Sequence, residues 1–375
     1  MANANQVALG RSNLSTGTGY GGATDKYALY LKLFSGEMFK GFQHETIARD
    51  LVTKRTLRNG KSLQFVYTGR MSSSFHTPGT PILGNSDKAP PVAEKTIVMD
   101  DLLISSAFVY DLDETLAHYE LRGEISKKIG YALAEKYDRL IFRSITRGAR
   151  SASPVSATNF VEPGGTQIRV GTTTNESDAF DAGALVNAFY DAAAALDEKG
   201  VSSDGRCAVL NPRQFYSLIQ NVGSNGLVNR DVQGDALQGG TGVIEIAGIH
   251  IYKSMNIPFL GKYGIKYGGT TGETSPGNLG DFIGPTPENA NATGGVNNDY
   301  GTNAELGAKS AGLIFQKEAA GVVEAIGPQV QVTNGDVSVI YQGDVILGRM
   351  AMGADYLNPA AAVELYVGTT APSAF

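Results

Sequence analysis

The chain has 375 residues, with 47 Gly, one Cys, no Trp, 42% apolar and 18% charged residues, and a formal net charge of −6. That length suits two or three domains, or one large domain with extensions. Lone Cys207 excludes an intramolecular disulfide and a multi-cysteine metal site, and no apolar run reaches the ~18 residues of a membrane span. Residues 1–20 hold no apolar h-region, so no secretory signal is expected. Charge is divided unevenly: residues 1–150 carry 20 Lys and Arg against 15 Asp and Glu, and residues 151–375 carry 11 against 22. Such polarity suits a part that docks a basic region onto an acidic region of its own copies. No dense Lys/Arg cluster with interleaved aromatics points to specific nucleic-acid recognition.

Residues 1–25 read as an extended or disordered arm. Gly17, Gly19 and Gly22 formally match G-x-G-x-x-G, but no strand precedes them. A short helix is expected over 26–42. Asn59-Gly60 is a hairpin turn signal, with Arg55, Arg58 and Lys61 around it. Residues 61–110 read as a long hairpin with strands at 61–71 and 93–111. Its tip holds Pro78, Pro81, Pro90 and Pro91, which bar it from a central sheet position. Polar and apolar residues alternate along both arms. A two-stranded ribbon is marginal alone in water, so it is expected to lie on a neighbouring subunit.

The organising element is a helix expected over 111–147. Leu121, Ile125, Ile129 and Leu133 recur at helical spacing, and Tyr137, Leu140, Ile141 and Ile145 extend the stripe. Glu124→Lys128 and Glu135→Arg139 are favourable i,i+4 pairs on the other side. At 1.5 Å per residue it would run roughly 50 Å, more a strut than a filler of a compact core. Beyond it come a strand near 166–171, an Ala-rich helix over 181–199 closed by Gly200, a buried strand at 206–212 and a helix begun by Pro212. A strand or strand pair follows at 242–254. Residues 261–310 hold 12 Gly and no apolar period, the text of an exposed loop. Strands near 311–316, 320–333 and 336–348 close the chain before a final apolar segment. Helices and strands mix without a βαβ rhythm, so the class is α+β.

Catalytic and metal signals are weak. No H-E-x-x-H, G-x-S-x-G or Walker A pattern occurs. Asp111 and Asp113 form a D-x-D pair that helix capping explains without a metal. His250 lies between two Ile on a strand, and Cys207 has no His signature nearby to make it a nucleophile. No catalytic residue, metal or cofactor is expected.

The segments GKSLQF (60–65), TGR (68–70), HTPG (76–79), EKTIVMDDLL (94–103), VYDLD (109–113) and HYELRGE (118–124) resemble the major capsid proteins of short-tailed, podovirus-type double-stranded-DNA bacteriophages. A weaker similarity continues through NPRQFYSLI (211–219), AGIHIYKSMNIP (247–258), KEAAGVVE (317–324) and MAMGADYLNPAAAVEL (350–365). The co-linear order carries the resemblance. It implies the tailed-phage capsid (Hong Kong 97) fold: an N-terminal arm at 1–58, an E-loop at 59–104, a P-domain at 105–165 and 326–375 with spine helix 111–147, and an A-domain at 166–325 with its loop 261–310. It further implies hexamers and pentamers in an icosahedral shell, a scaffolding protein, a portal protein, packaged double-stranded DNA held non-specifically, and no membrane. The protein would belong to the virion and be made in the host bacterial cytoplasm. On this reading Arg58, Lys61, Arg70 and Glu94 are inter-subunit contact residues, and Leu121, Ile125, Ile129 and Leu133 form the spine-helix core. The alternatives are an encapsulin-type nanocompartment shell and, from another class, an α+β enzyme whose Gly-rich loop is a lid.

Overall fold

A computed structural model describes residues 47–69, 73, 75–79, 92–99, 102–110, 121–157, 160–172, 176–220, 244–254, 256–257, 310–332 and 340–372. In chain order these form α1 (Ala48–Leu51), β1 (Thr53–Thr56), β2 (Ser62–Thr68), β3 (Val92–Val98), β4 (Leu103–Tyr110), α2 (Leu121–Ala149), β5 (Ser156–Ala157), β6 (Phe160–Val161) and β7 (Thr166–Arg169). They continue with α3 (Ala182–Glu198), β8 (Arg206–Leu210), α4 (Pro212–Gln220), β9 (Ile244–Ile246), β10 (Ile249–Lys253), β11 (Ser310–Gln316), β12 (Ala320–Val332), β13 (Gly343–Tyr356) and β14 (Ala362–Tyr366). The expected helix over 26–42, the first ten residues of the expected long helix and most of the loop 261–310 lie outside the described residues.

The chain divides into two units. The first comprises residues 1–44, 101–135 and 325–352, the second 45–100, 136–324 and 353–375.

In the first unit β4 runs antiparallel to β13, from Gly343 opposite Tyr110 to Met350 opposite Leu103. Ile346 and Met350 are buried. A Cβ at Gly348 would stand 2.3 Å from Ile129 Cγ2 and 3.0 Å from Leu133 Cδ1. Glycine there is what lets the helix approach the sheet so closely. Ile129 and Leu133 are both buried, Ile125 is half-buried, and Leu121 is the first residue of the helix.

The second unit is built on a six-stranded mixed sheet of order β7-β14-β11-β8-β10-β9. β8 and β11 are buried along their whole length, as central strands covered on both faces are. β8, α4 and β10 make a parallel crossover, His250 lying opposite Cys207. Local chemistry sets the helix ends. Asp181 caps α3 by accepting from Gly183 N at 3.0 Å. Asn211 and Gln214 make a reciprocal capping box at α4: Asn211 Oδ1 accepts from Arg213 N, and Gln214 Oε1 from Asn211 N, each at 3.1 Å. The second half of α2 buries Tyr137, Leu140, Ile141, Phe142 and Ile145, and the helix runs two residues past its expected end.

One expectation is corrected. The stretch 93–111 is not a single returning strand. β3 pairs with β2, whereas β4 pairs with β13. The β2–β3 ladder is closed where Met99 N donates to Lys61 O at 2.7 Å. Ala107 and Val109 then face inward on β4 in step with Ile346 and Asp344.

Candidate assembly surface

The β2–β3 ribbon is in simple antiparallel register, from Ser62 opposite Val98 to Thr68 opposite Val92. A period of two sorts its side chains onto two faces. Ser62, Gln64, Val66, Thr68, Val92, Glu94 and Val98 form the exposed face, Val66 at 71%. Leu63, Phe65, Tyr67, Ala93 and Lys95 are half-buried on the other, and Ile97 is fully buried.

The base of the ribbon is anchored by packing and by an ion pair. A Cβ at Gly321 would meet Leu357 Cδ1 at 2.7 Å and Ile97 Cδ1 at 3.1 Å, so the missing side chain makes room for both. A Cβ at Gly353 would meet Val98 O at 2.3 Å. Two residues further along the same face, Lys95 Nζ lies 2.8 Å from Asp355 Oδ2 and 3.6 Å from the centroid of the Tyr356 ring. Arg147, in the last turn of α2, shares both partners, at 3.9 Å from Asp355 Oδ1 and 5.9 Å from the ring.

A second charged cluster lies at the approach to the ribbon. Glu324 receives Tyr137 OH at 2.8 Å, Arg49 at 3.3 Å and Lys54 at 3.3 Å. Burial alone would push its carboxyl up. The phenol, the guanidinium and the ammonium outweigh that and hold it below the usual carboxylate range. The Tyr137 phenol is pushed up by burial and by that carboxylate. Nearby, buried Asp138 accepts from Ile47 N at 3.0 Å, Ala48 N at 3.1 Å and Asn256 Nδ2 at 3.3 Å. It thereby fixes the point at which the chain enters α1.

Of the residues singled out from sequence, Arg58 and Lys61 are exposed in the β1–β2 turn, where Gly60 takes φ +99°. Glu94 is exposed opposite Val66, four residues up the ribbon from Val98. Arg70 lies outside the described residues. The structure therefore puts Arg58 and Lys61 in one turn and Glu94 further along. Sequence reasoning missed Lys95, Asp355, Tyr356, Glu324 and Asp138, whose partners are remote in sequence. Among the described residues no three His, Cys, Asp or Glu side chains gather as metal ligands. Cys207 is buried, and burial pushes its thiol up to about 12. His250 is half-exposed beside Glu245 at 3.6 Å.

The Gp10A-like family, described as major capsid protein, matches residues 64–366. This chain belongs to that family. Across 92% of its length it is 26% identical to the major capsid protein of Escherichia phage T7, covering 94% of that protein. It is 31% identical to a chain of the capsid structure of cyanophage P-SCSP1u, with TM-score 0.68, over 92% of this chain and 95% of that one. A chain of the bacteriophage PhiM1 mature capsid is only 12% identical, yet superposes with TM-score 0.60 over 90% of this chain and 92% of the other. The fold is thus the α+β tailed-phage capsid fold. The nanocompartment and the lid-bearing enzyme give way to a structural capsid protein.

Proposed function

We propose that this capsid protein assembles as hexamers and pentamers into an icosahedral shell around a scaffolding protein, with a portal protein at one vertex. The shell holds packaged double-stranded DNA through non-specific contacts. Residues 1–58 act as arm, 59–104 as E-loop, 105–165 and 326–375 as P-domain with spine helix 111–147, and 166–325 as A-domain. The role is structural, without a catalytic step, and the working location is the virion, after synthesis in the host bacterial cytoplasm. Arg58, Lys61, Arg70 and Glu94 contact the neighbouring subunit. Leu121, Ile125, Ile129 and Leu133 line the spine helix's inner side.

One observation carries this reading. The ribbon is held at Ile97 and Lys95 but exposes Val66 at 71% and Val92 at 60%. A two-stranded ribbon cannot stabilise that surface by itself, and a repeated neighbour covers it in every copy. The test is negative-stain microscopy and sedimentation of the chain expressed with and without its scaffold. Closed shells or six- and five-membered rings are expected. A chain that stays monomeric with its scaffold present overturns the reading.

A further inference from the structure

We propose that Lys95 is a positioning residue for shell assembly: its clamp on Asp355 and Tyr356 sets the direction in which the β2–β3 ribbon projects from the rest of the second unit. The part of this inference that concerns assembly rests on the capsid reading above.

The argument is mechanical first. Ile97 is 1% exposed and plugged against Leu357 over Gly321, which fixes one point of the ribbon. One point leaves the angle open. Lys95 is two residues away on the same face, about 6.8 Å along a strand rising ~3.4 Å per residue, and it supplies the second point. Past it, Ala93 is only half-buried, and Glu94, Val92, Val66 and Thr68 are exposed.

The seat is packed against the end of α2. A Cβ at Gly148 would come within 2.9 Å of Tyr356 Cβ, so the tyrosine backs directly onto the end of α2. Arg147, in that same last turn, meets Asp355 and the Tyr356 ring from the helix side. The ammonium thus finds a carboxylate at 2.8 Å and a ring face at 3.6 Å. Lys95 therefore makes an ion pair and a cation–ring contact at once. The side chains of Lys95 and Asp355 are only 24% and 19% exposed, so salt screens the pair less than a surface pair. A methionine at position 95 keeps the stem's packing and loses both charge contacts. An arginine keeps both.

The test measures the ribbon's angle. Spin labels are placed at Val66→Cys, on the exposed ribbon face, and Ala194→Cys, on the exposed side of α3; buried Cys207 stays unlabelled. Distances are read by double electron–electron resonance in unassembled protein, and shell yield by sedimentation with the scaffold. The parent is expected to give one narrow distance. Lys95→Met and Asp355→Asn are expected to broaden it, with unchanged circular dichroism and loss of closed shells, while Lys95→Arg restores both. Asp355→Asn keeps the proposal testable should Lys95→Met not fold. A distance as narrow in the folded variants as in the parent overturns the positioning role. A broadened distance with normal shell yield overturns its part in assembly. Failure of the capsid reading itself would show separately, as a parent that forms no shells.

Discussion

Arg150 grips Glu364 through two parallel bonds, Nε to Oε2 at 2.7 Å and a terminal guanidinium nitrogen to Oε1 at 2.6 Å, with the side chains 1% and 0% exposed. Gln167 Nε2 donates to the same carboxylate at 3.0 Å, and the Ser310 hydroxyl donates to it as well. The pair joins the residue just past α2 to β14, β11 and β7, so every hydrogen-bonding site of a buried charge is used. Removing one partner of such a pair leaves the other charged and unpaired. Arg150→Ala is therefore expected to cost about 3–5 kcal/mol and to lower the denaturant midpoint sharply. The double variant Arg150→Met, Glu364→Leu should recover part of that loss. Recovery stays partial because Ser310 then loses its carboxylate acceptor and Gln167 keeps only Pro372 O. Urea unfolding of the three proteins checks the ordering.

The contact of Ile129 with Gly348 makes a second prediction. Ile129→Asp sets a charge against a glycine backbone in a closed core, a change of several kcal/mol, and insoluble or unassembled protein is expected. Gly348→Val is expected to do similar harm by another route, since its Cβ alone would stand 2.3 Å from Ile129 Cγ2. Soluble, shell-forming protein from either variant would show that the helix does not rest on the sheet through this contact.

Acid stability should depend on Glu324. Its folded-state carboxyl lies below the usual range because Tyr137, Arg49 and Lys54 outweigh burial. A depressed folded value means that the unfolded chain binds the proton first. The stabilisation is complete above the unfolded value of about 4.3 and drains away as pH falls through the lower folded value. Glu324→Gln should be less stable at neutral pH and show a flatter acid limb. Tyr137→Phe removes one of the groups holding the carboxyl down, so it should move that limb to higher pH. Urea midpoints between neutrality and acid pH measure both.

What could be read from the sequence was what the chain encodes locally. Asp181 and Gly200 bracket α3, Pro212 opens α4, and Ile129, Leu133, Tyr137 and Ile141 repeat at helical spacing, all within a few residues of one another. The break of 93–111 into two strands escaped notice because β4 finds its partner in β13, far down the chain. The charged clusters were illegible for the same reason: Arg49 and Glu324 are 275 residues apart. The Asn-Gly turn beside Arg58 and Lys61 was legible because its signal is local, and both cations are exposed there. Lys95 looked like any polar residue in an alternating strand. Its partners, Asp355 and Tyr356, stood in an apolar text that named no function.

The last prediction concerns the cations at the foot of the ribbon. Arg58 and Lys61 are exposed, and neither has an ion-pair partner among the described residues. They belong to the half of the chain with excess positive charge, 20 Lys and Arg against 15 Asp and Glu, while the remainder holds 11 against 22. A neighbour's acidic surface is the complement they lack. One exposed pair contributes only about 0–1 kcal/mol, yet a shell repeats each contact in every subunit, so a small loss recurs throughout assembly. Arg58→Glu combined with Lys61→Glu should therefore leave circular dichroism and the unfolding midpoint unchanged while preventing closed shells. Arg70→Glu should act in the same direction and Arg70→Lys should assemble partly, since lysine keeps the charge but not the two-pronged bond to a carboxylate. Raising salt should weaken wild-type assembly and narrow the gap to the variants, because these charges are open to screening. Sedimentation with the scaffold present reads the outcome. Normal shells from the double variant, at wild-type salt dependence, would remove Arg58 and Lys61 from the interface.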